Sequence, residues 1–377
     1  MAKLLQDSCN QDAIIFSKFS HSSPANGGNG THSYSNNSSY QRLFANVERA
    51  KIDQEIAHNF EIQKLSSSSP SNTLVLADMG CATGPNTFGT MQHIVKSMKR
   101  TFQSVCPTSP LPEFQVFFND QTTNDFNTLF QSMPKDRDYF AAGVAGSFHQ
   151  RLFPTSSVQF MHSSYAVHWL SRIPEEVLDE ESPAWNKGKI HYLGAAETVA
   201  AAYAAQYAKD MGDFLRARAE ELVEGGIMVI ITSGNPDGVS AAGLPSGLLY
   251  DLLATTLIDM SKEGLVSEAE VDTFNLPIYI TCPAEMRQLV EQNGQFSIER
   301  MELTAPTTWI EGSVDTREWI DHIRAAMEGI FTNHFGNDPN IIDQIFERVT
   351  HKLEPYNEEV NSKLHEKVQL FVVLKRI

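Results

Sequence analysis

Cysteine is scarce in this chain of 377 residues: Cys9, Cys81, Cys106 and Cys282 stand at irregular spacing, with no C-x-x-C pair. That pattern argues against a disulfide framework or a cysteine zinc cluster and suits a reducing compartment. Positive charge is in deficit as well. Lys and Arg number 29 against 46 Asp and Glu, a net charge of −17, so the surface repels phosphate backbones and anionic lipid. Long apolar runs are missing: no segment approaches the roughly 20 residues of a membrane span. Nor does a basic stretch followed by an apolar run open the sequence. The expectation is a cytoplasmic protein that contacts neither nucleic acid nor membrane and takes a small molecule as its partner. Sequons start at Asn29, Asn36 and Asn37, but without a secretory signal they do not predict glycosylation.

What is present is ordinary globular composition, 41% hydrophobic and 20% charged, with length for one large domain or a domain with an insertion. Residues 1–40 form a Ser-, Asn- and Gly-rich arm with little periodicity. Over 40–63, Leu43, Val47, Ile52, Ile56 and Phe60 recur at helical spacing, and serines at 66–69 break the pattern. Short apolar runs at 74–77, 114–118, 139–144, 158–161 and 227–231 alternate with segments long enough for helices, such as 195–222. Strand and helix in alternation predict a parallel, doubly wound α/β sheet. After Ser233 the rhythm changes: 247–258 and 316–331 read as amphipathic helices of a cap. Residues 296–303 and 368–374 are the last strands, the latter expected at an edge because it ends in Lys375 and Arg376. The core is therefore placed at 41–238, completed by 283–306 and 366–377, and the helical cap with the acceptor pocket at 239–282 and 307–365.

Ligands of open α/β sheets sit beyond the carboxyl ends of the strands, so the residues just after each run carry the argument. The segment LVLADMGCATGPN at 74–86 is a strand entering a glycine turn and then a helix. Gly80 and Gly84 allow close approach of a ligand, and Asp78 and Asn86 offer polar groups. This is not the dinucleotide G-x-G-x-x-G; it reads as a nucleoside site, and a purely structural turn is the alternative. FQVFFND at 114–120 ends in Asp120, where a carboxylate accepts both ribose hydroxyls; a cap is the competing role. Gly146, Ser147 and Phe148 follow the next run, with a hydroxyl and an aromatic face for an adenine. MHSSYAVHWL at 161–170 places Tyr165, His168 and Trp169 after a strand, either as pocket walls or as buried groups with satisfied hydrogen bonds.

With these residues in view, the chain from about Gly27 onward resembles the SABATH family of plant methyltransferases. That family includes the salicylic, benzoic, jasmonic, loganic and farnesoic acid carboxyl methyltransferases and the caffeine-pathway N-methyltransferases. The resemblance rests on an ordered set: Ser33-Tyr34, Asn37-Ser38, Gln41, DMGCATGPN at 78–86, FND at 118–120 with NDFN at 124–127, GSF at 146–148, SSY at 163–165 with His168-Trp169, NKG at 186–188, DTFNLPIY at 272–279 and HFG at 334–336. It implies a Rossmann-like methyltransferase fold with a mostly helical cap over the active site, a homodimer, and transfer of a methyl group from S-adenosylmethionine to a carboxylate. A xanthine-like ring nitrogen is the alternative acceptor, and a catalytically silent binding protein a third reading.

For S-adenosylmethionine the resemblance implies Tyr34, Asp78, Asn86, Asp120, Ser147 and Phe148, with Ser164 and Ser38 as minor contributors. Gln41 and Trp169 match the amide and indole that hold the acceptor carboxylate, and both groups donate to an anion. Tyr165, His168, Tyr250 and Ile323 match positions lining the acceptor pocket, with Ala326 and Trp309 beside them. Asn186, Asp272, the carbonyl of Phe274 and Asn275 match the ligands of a structural magnesium, whose preference for oxygen they meet. The sequence departs from the family at Asn26, where many acid-methylating relatives carry lysine, at His149, where an aromatic is usual, and at Gln121, where leucine is common. An acid of ordinary pKa is already ionised at neutral pH, so no general base is expected.

Overall fold

The computed structural model describes residues 23–67, 72–305, 315–364 and 368–377. Seven strands form one sheet: β1 (Thr73–Met79), β2 (Glu113–Asp120), β3 (Phe140–Ala145), β4 (Val158–Ser164), β5 (Leu222–Ser233), β6 (Phe296–Thr304) and β7 (Gln369–Arg376), in the order β3-β2-β1-β4-β5-β7-β6. The helices are α1 (Ser39–Val47), α2 (Arg49–Asn59), α3 (Ile62–Ser67), α4 (Asn86–Val105), α5 (Phe126–Gln131), α6 (Glu197–Glu221), α7 (Pro245–Lys262), α8 (Glu268–Thr273), α9 (Pro283–Asn293), α10 (Thr316–Phe335), α11 (Pro339–Leu353) and α12 (Asn357–Leu364). No helix among the described residues is long and apolar enough to cross a membrane.

Every apolar run read as a strand is one, because strands buried on both faces are near-continuous hydrophobic segments. β1 shows how one strand serves two cores. Leu74 and Leu76 pack with Ile94, Val116 and Phe160, whereas Ala77 and Met79 pack with Tyr203, Phe214 and Met228 on the other face. A third cluster, with Leu253, Leu257, Phe274, Phe331 and Phe346, unites α7, α10 and α11 as the cap.

Two expectations need correction. The sheet is parallel only through β5; β7 runs antiparallel to both β5 and β6. It is therefore an interior strand and not an edge, with Leu370 to Leu374 fully buried, and the edges are β3 and β6. The helix expected over 40–63 is three pieces: α1 and α2 meet at Glu48, and Phe60 takes an extended conformation before α3. Glu48 is fully buried and accepts from Gln369 Nε2 and Thr304 Oγ1, so the bend delivers a carboxylate to the ends of β6 and β7. Trp309, and residues 1–22 of the arm, lie outside the described residues.

Candidate active site

A cavity of about 470 Å³ opens beyond the carboxyl ends of β1 to β5 and under α7 and α10. Strand order reverses between β1 and β4, the position where an open α/β sheet leaves a crevice. Of the residues singled out in the sequence, Tyr34, Gln41, Asp120, Ser147, Phe148, Ser164, Tyr165, His168, Trp169, Tyr250 and Ile323 line this one cavity.

At the sheet end, Gly80 adopts a φ of +84°, and a Cβ there would lie 2.3 Å from the Cβ of Ala166. Only glycine lets the turn after β1 pass so close to the segment after β4. Asp120 ends β2 and accepts from Ala82 N at 2.7 Å and Gln121 N at 2.8 Å. Burial pushes its carboxyl up to about 6 despite those two bonds, with the nearby charge of Asp78 adding to the rise. Phe148 packs edge-on against Phe214 at 5.8 Å and beside His149 at 4.6 Å, so the departure at His149 places an imidazole beside the ring expected to face adenine.

Asp78 and Asn86 do not line the cavity. The Asp78 carboxylate accepts from Thr87 Oγ1 and is in contact with His162 Nδ1 at 2.7 Å, which braces the turn from behind. Asn86 Nδ2 donates to Ser38 O at 2.9 Å. Tyr34 is buried beside Asp120 and Asp78, and burial raises its hydroxyl pKa well above the usual value.

The outer half of the cavity is built from α1, the segment after β4, α7 and α10. Gln41 lines it from α1, and its Oε1 is buried without a protein partner. Trp169 is locked by a bridge to Ile278 and by its main-chain N–H, which donates to Ala166 O at 3.1 Å, and His168 O accepts from Tyr279 N at 2.9 Å. Tyr165 turns its hydroxyl to Gln369 Oε1 at 2.7 Å, leaving its ring to the cavity. Burial lowers His168 to about 4 and His322 to about 4, so both imidazoles are neutral at neutral pH. Among the described residues no lysine or arginine lines the cavity. The position of Asn26 does not supply one either: its amide donates to Glu328 Oε1 at 3.0 Å and His32 O at 3.1 Å, tying the arm to α10.

Sequence reasoning named Ile323 and Ala326 but missed their neighbours. Trp319, His322 and Met327 share the same lining. The spacing 319, 322, 323, 326, 327 is that of one helix face, a readable signal whose direction toward the cavity depends on packing.

The expected magnesium ligands lie elsewhere. The turn at 186–188 meets 272–275: Asn186 Nδ2 donates to Asn275 Oδ1 at 2.7 Å, and Gly188 N to Asp272 Oδ1 at 3.2 Å. Asn275 Nδ2 is buried and unpartnered, and Lys187 Nζ is 3.8 Å from Asp272 Oδ2. The oxygen-only donors suit a hard cation, with the Lys187 ammonium as its competitor. No cluster of three His, Cys, Asp or Glu fit for a metal occurs among the described residues, so amide and carbonyl oxygens would complete the shell. None of the four residues lines the cavity.

The family model described as SAM dependent carboxyl methyltransferase matches residues 20–377. The chain belongs to this family. The methyltransferase is 42% identical over 354 residues to loganic acid O-methyltransferase of Catharanthus roseus, covering 94% of each chain. It is 35% identical over 350 residues to the farnesoic acid carboxyl-O-methyltransferase of Arabidopsis thaliana, covering 93% of this chain and 97% of that one. The solved structure of a loganic acid methyltransferase with SAH superposes with a TM-score of 0.89 at 41% identity, covering 94% of this chain and 98% of the other.

Proposed function

We propose that this methyltransferase esterifies the carboxylate of a small organic acid, with Asp120, Tyr34, Ser147 and Phe148 holding S-adenosylmethionine and Gln41 and Trp169 presenting the acid. When bound, S-adenosylmethionine supplies an electrophilic methyl carbon. The observation that carries the reading is the pairing, in one cavity, of the Gln41 carboxamide, whose Oε1 has no protein partner, and Trp169 with a lining that has no cation of its own among the described residues.

A carboxylate of ordinary pKa is ionised at neutral pH and needs no base. The chain's task is then to fix the anion's direction and exclude water. Neutral donors suit that task, because an adjacent lysine would bind the anion tightly and weaken it as a nucleophile. Asp78 and Asn86 contribute by bracing the glycine turn and the start of α1. The arm at 23–37 bridges core and cap: Gly28 N donates to Asp125 Oδ2 at 2.9 Å, and Asn26 N to Ala325 O at 2.8 Å.

On the same reading Asn186, Asp272, the Phe274 carbonyl and Asn275 hold a structural magnesium, and the SABATH resemblance supports a homodimer. The irregular spacing of the four cysteines fits a reducing, cytoplasmic location on this reading. The test is transfer of a labelled methyl group from S-adenosylmethionine to a panel of terpenoid, iridoid, indole and phenolic acids beside xanthines. Labelled product that releases methanol in mild base supports the ester; base-stable product formed only with xanthines overturns it.

A further inference from the structure

His322 stands on α10 among Trp319, Ile323, Ala326 and Met327, and its ring lines the acceptor cavity. Its Nδ1 lies 3.1 Å from the main-chain oxygen of Asn37. A carbonyl only accepts, so Nδ1 carries the proton and donates. Burial holds the ring neutral, and a neutral imidazole with a proton on Nδ1 has a bare lone pair on Nε2. No described residue donates to that nitrogen. Tyr40, with ring centroids 6.0 Å apart, directs its hydroxyl to Asp315 O. The cavity thus contains a fixed hydrogen-bond acceptor set in an otherwise apolar stretch of wall, where an acceptor left unpaired is unfavourable.

Resting on the carboxylate reading, we propose that His322 Nε2 is a hydroxyl-reading subsite, and that the physiological acceptor is an acid bearing an alcohol group that donates to it. A carboxylate cannot occupy this position, because two acceptors repel. The two ends of the acceptor are therefore sorted by hydrogen-bond polarity: the anion goes to the donors Gln41 and Trp169, and the hydroxyl goes to the acceptor on α10. The main-chain oxygen of Asn37 enforces the tautomer, so the ordered arm acts as a positioning element for recognition as well as a cover.

The experiment compares kcat/KM for the hydroxycyclohexanecarboxylic acid isomers with that for cyclohexanecarboxylic acid, in the full-length enzyme and in His322→Phe. The wild type is expected to favour at least one hydroxylated isomer by about tenfold or more, and His322→Phe to bring that ratio to about one, the hydroxylated acid losing more than the deoxy acid. Affinity for S-adenosylhomocysteine and thermal unfolding confirm that the variant is folded; if it is not, His322→Leu and the wild-type ratio decide. Equal rates for hydroxylated and deoxy acids in the wild type, or a preference that survives in the variant, overturn the subsite alone. An equal loss for both acids reduces His322 to a tie between arm and cap and also overturns it. If the wild type methylates none of these or the wider acid panel, the carboxylate function itself falls and the subsite with it.

Discussion

Asn86 Nδ2 donates to Ser38 O across 2.9 Å, joining the first residue of α4 to the residue that precedes α1. The glycine turn of the cofactor half and the helix that carries Gln41 are thereby one mechanical unit, although Asn86 does not line the cavity. On the proposed reading, cofactor seating and acceptor positioning share that link.

The first prediction concerns the two acceptor donors. Gln41→Ala and Trp169→Phe each remove a hydrogen-bond donor while leaving the sheet end of the cavity intact. Each is expected to lower kcat by about tenfold or more while the dissociation constant of S-adenosylhomocysteine stays within about threefold. Steady-state kinetics beside calorimetry make the comparison, and a loss confined to cofactor affinity would contradict the assignment.

Charge balance gives a second. With no described cation in the lining and with His168 and His322 both lowered to about 4 by burial, the counter-charge left for an acid on the proposed reading is the cofactor's sulfonium. An acid should therefore bind more tightly to enzyme loaded with a cationic amine analogue of the cofactor than to enzyme loaded with neutral-sulfur S-adenosylhomocysteine. Calorimetric titration of the two complexes with one acid checks this, and equal affinities would argue against it.

Asp120 sets a pH dependence. Its carboxyl is raised to about 6 in the folded protein by burial, against an unfolded value near 3.9. The native state binds the extra proton between those values, so this group's contribution to the stability of the free protein falls as pH rises through that window. Cofactor binding follows the opposite course if the ionised carboxylate accepts the ribose hydroxyls: affinity is full above about pH 6 and weakens below it. Titrations of S-adenosylhomocysteine from pH 5 to 8 should show the slope in the wild type, and Asp120→Asn should flatten it.

A buried ion pair holds the segment that follows β3. Arg218 and Glu221 are fully buried at 2.7 Å; Arg218 donates to the main-chain oxygens of Phe148 and Gln150, and Glu221 accepts from the N–H groups of Leu152 and Phe153. Arg218→Met leaves a buried carboxylate unpaired and is expected to destabilise the fold by about 3–5 kcal/mol. Urea unfolding measures that loss, and a cofactor affinity reduced in step would place the pair as a support for Ser147 and Phe148.

Magnesium is tested away from the chemistry. If Asn186, Asp272 and Asn275 hold the ion, magnesium should raise the unfolding temperature by a few degrees over a chelator control, and Asp272→Asn should abolish the rise. An identical response in the variant would assign these residues to ordinary turn contacts.

Much of this arrangement is legible in the sequence because it is local. β1, the glycines at 80 and 84 and the acid ending β2 follow from runs, turns and strand ends, each fixed by residues close in the chain. Other features are set by distant contacts. The antiparallel insertion of β7 between β5 and β6 is invisible in a short apolar run, since Leu370 to Leu374 would suit any buried strand. Glu48 breaks the first helical pattern because Gln369 and Thr304, far along the chain, need its carboxylate. The face of α10 that carries His322 is periodic in sequence, but which side of the fold it meets depends on the packing of the cap.

The most direct measurement is a crystal structure of the enzyme with S-adenosylhomocysteine and an acid that it methylates. The account predicts the cofactor ribose on Asp120, and an acid oxygen about 3–3.5 Å from the methyl position, held by Gln41 Nε2 and Trp169 Nε1. A carboxylate turned toward α10 and His322, with Gln41 and Trp169 unengaged, would contradict it.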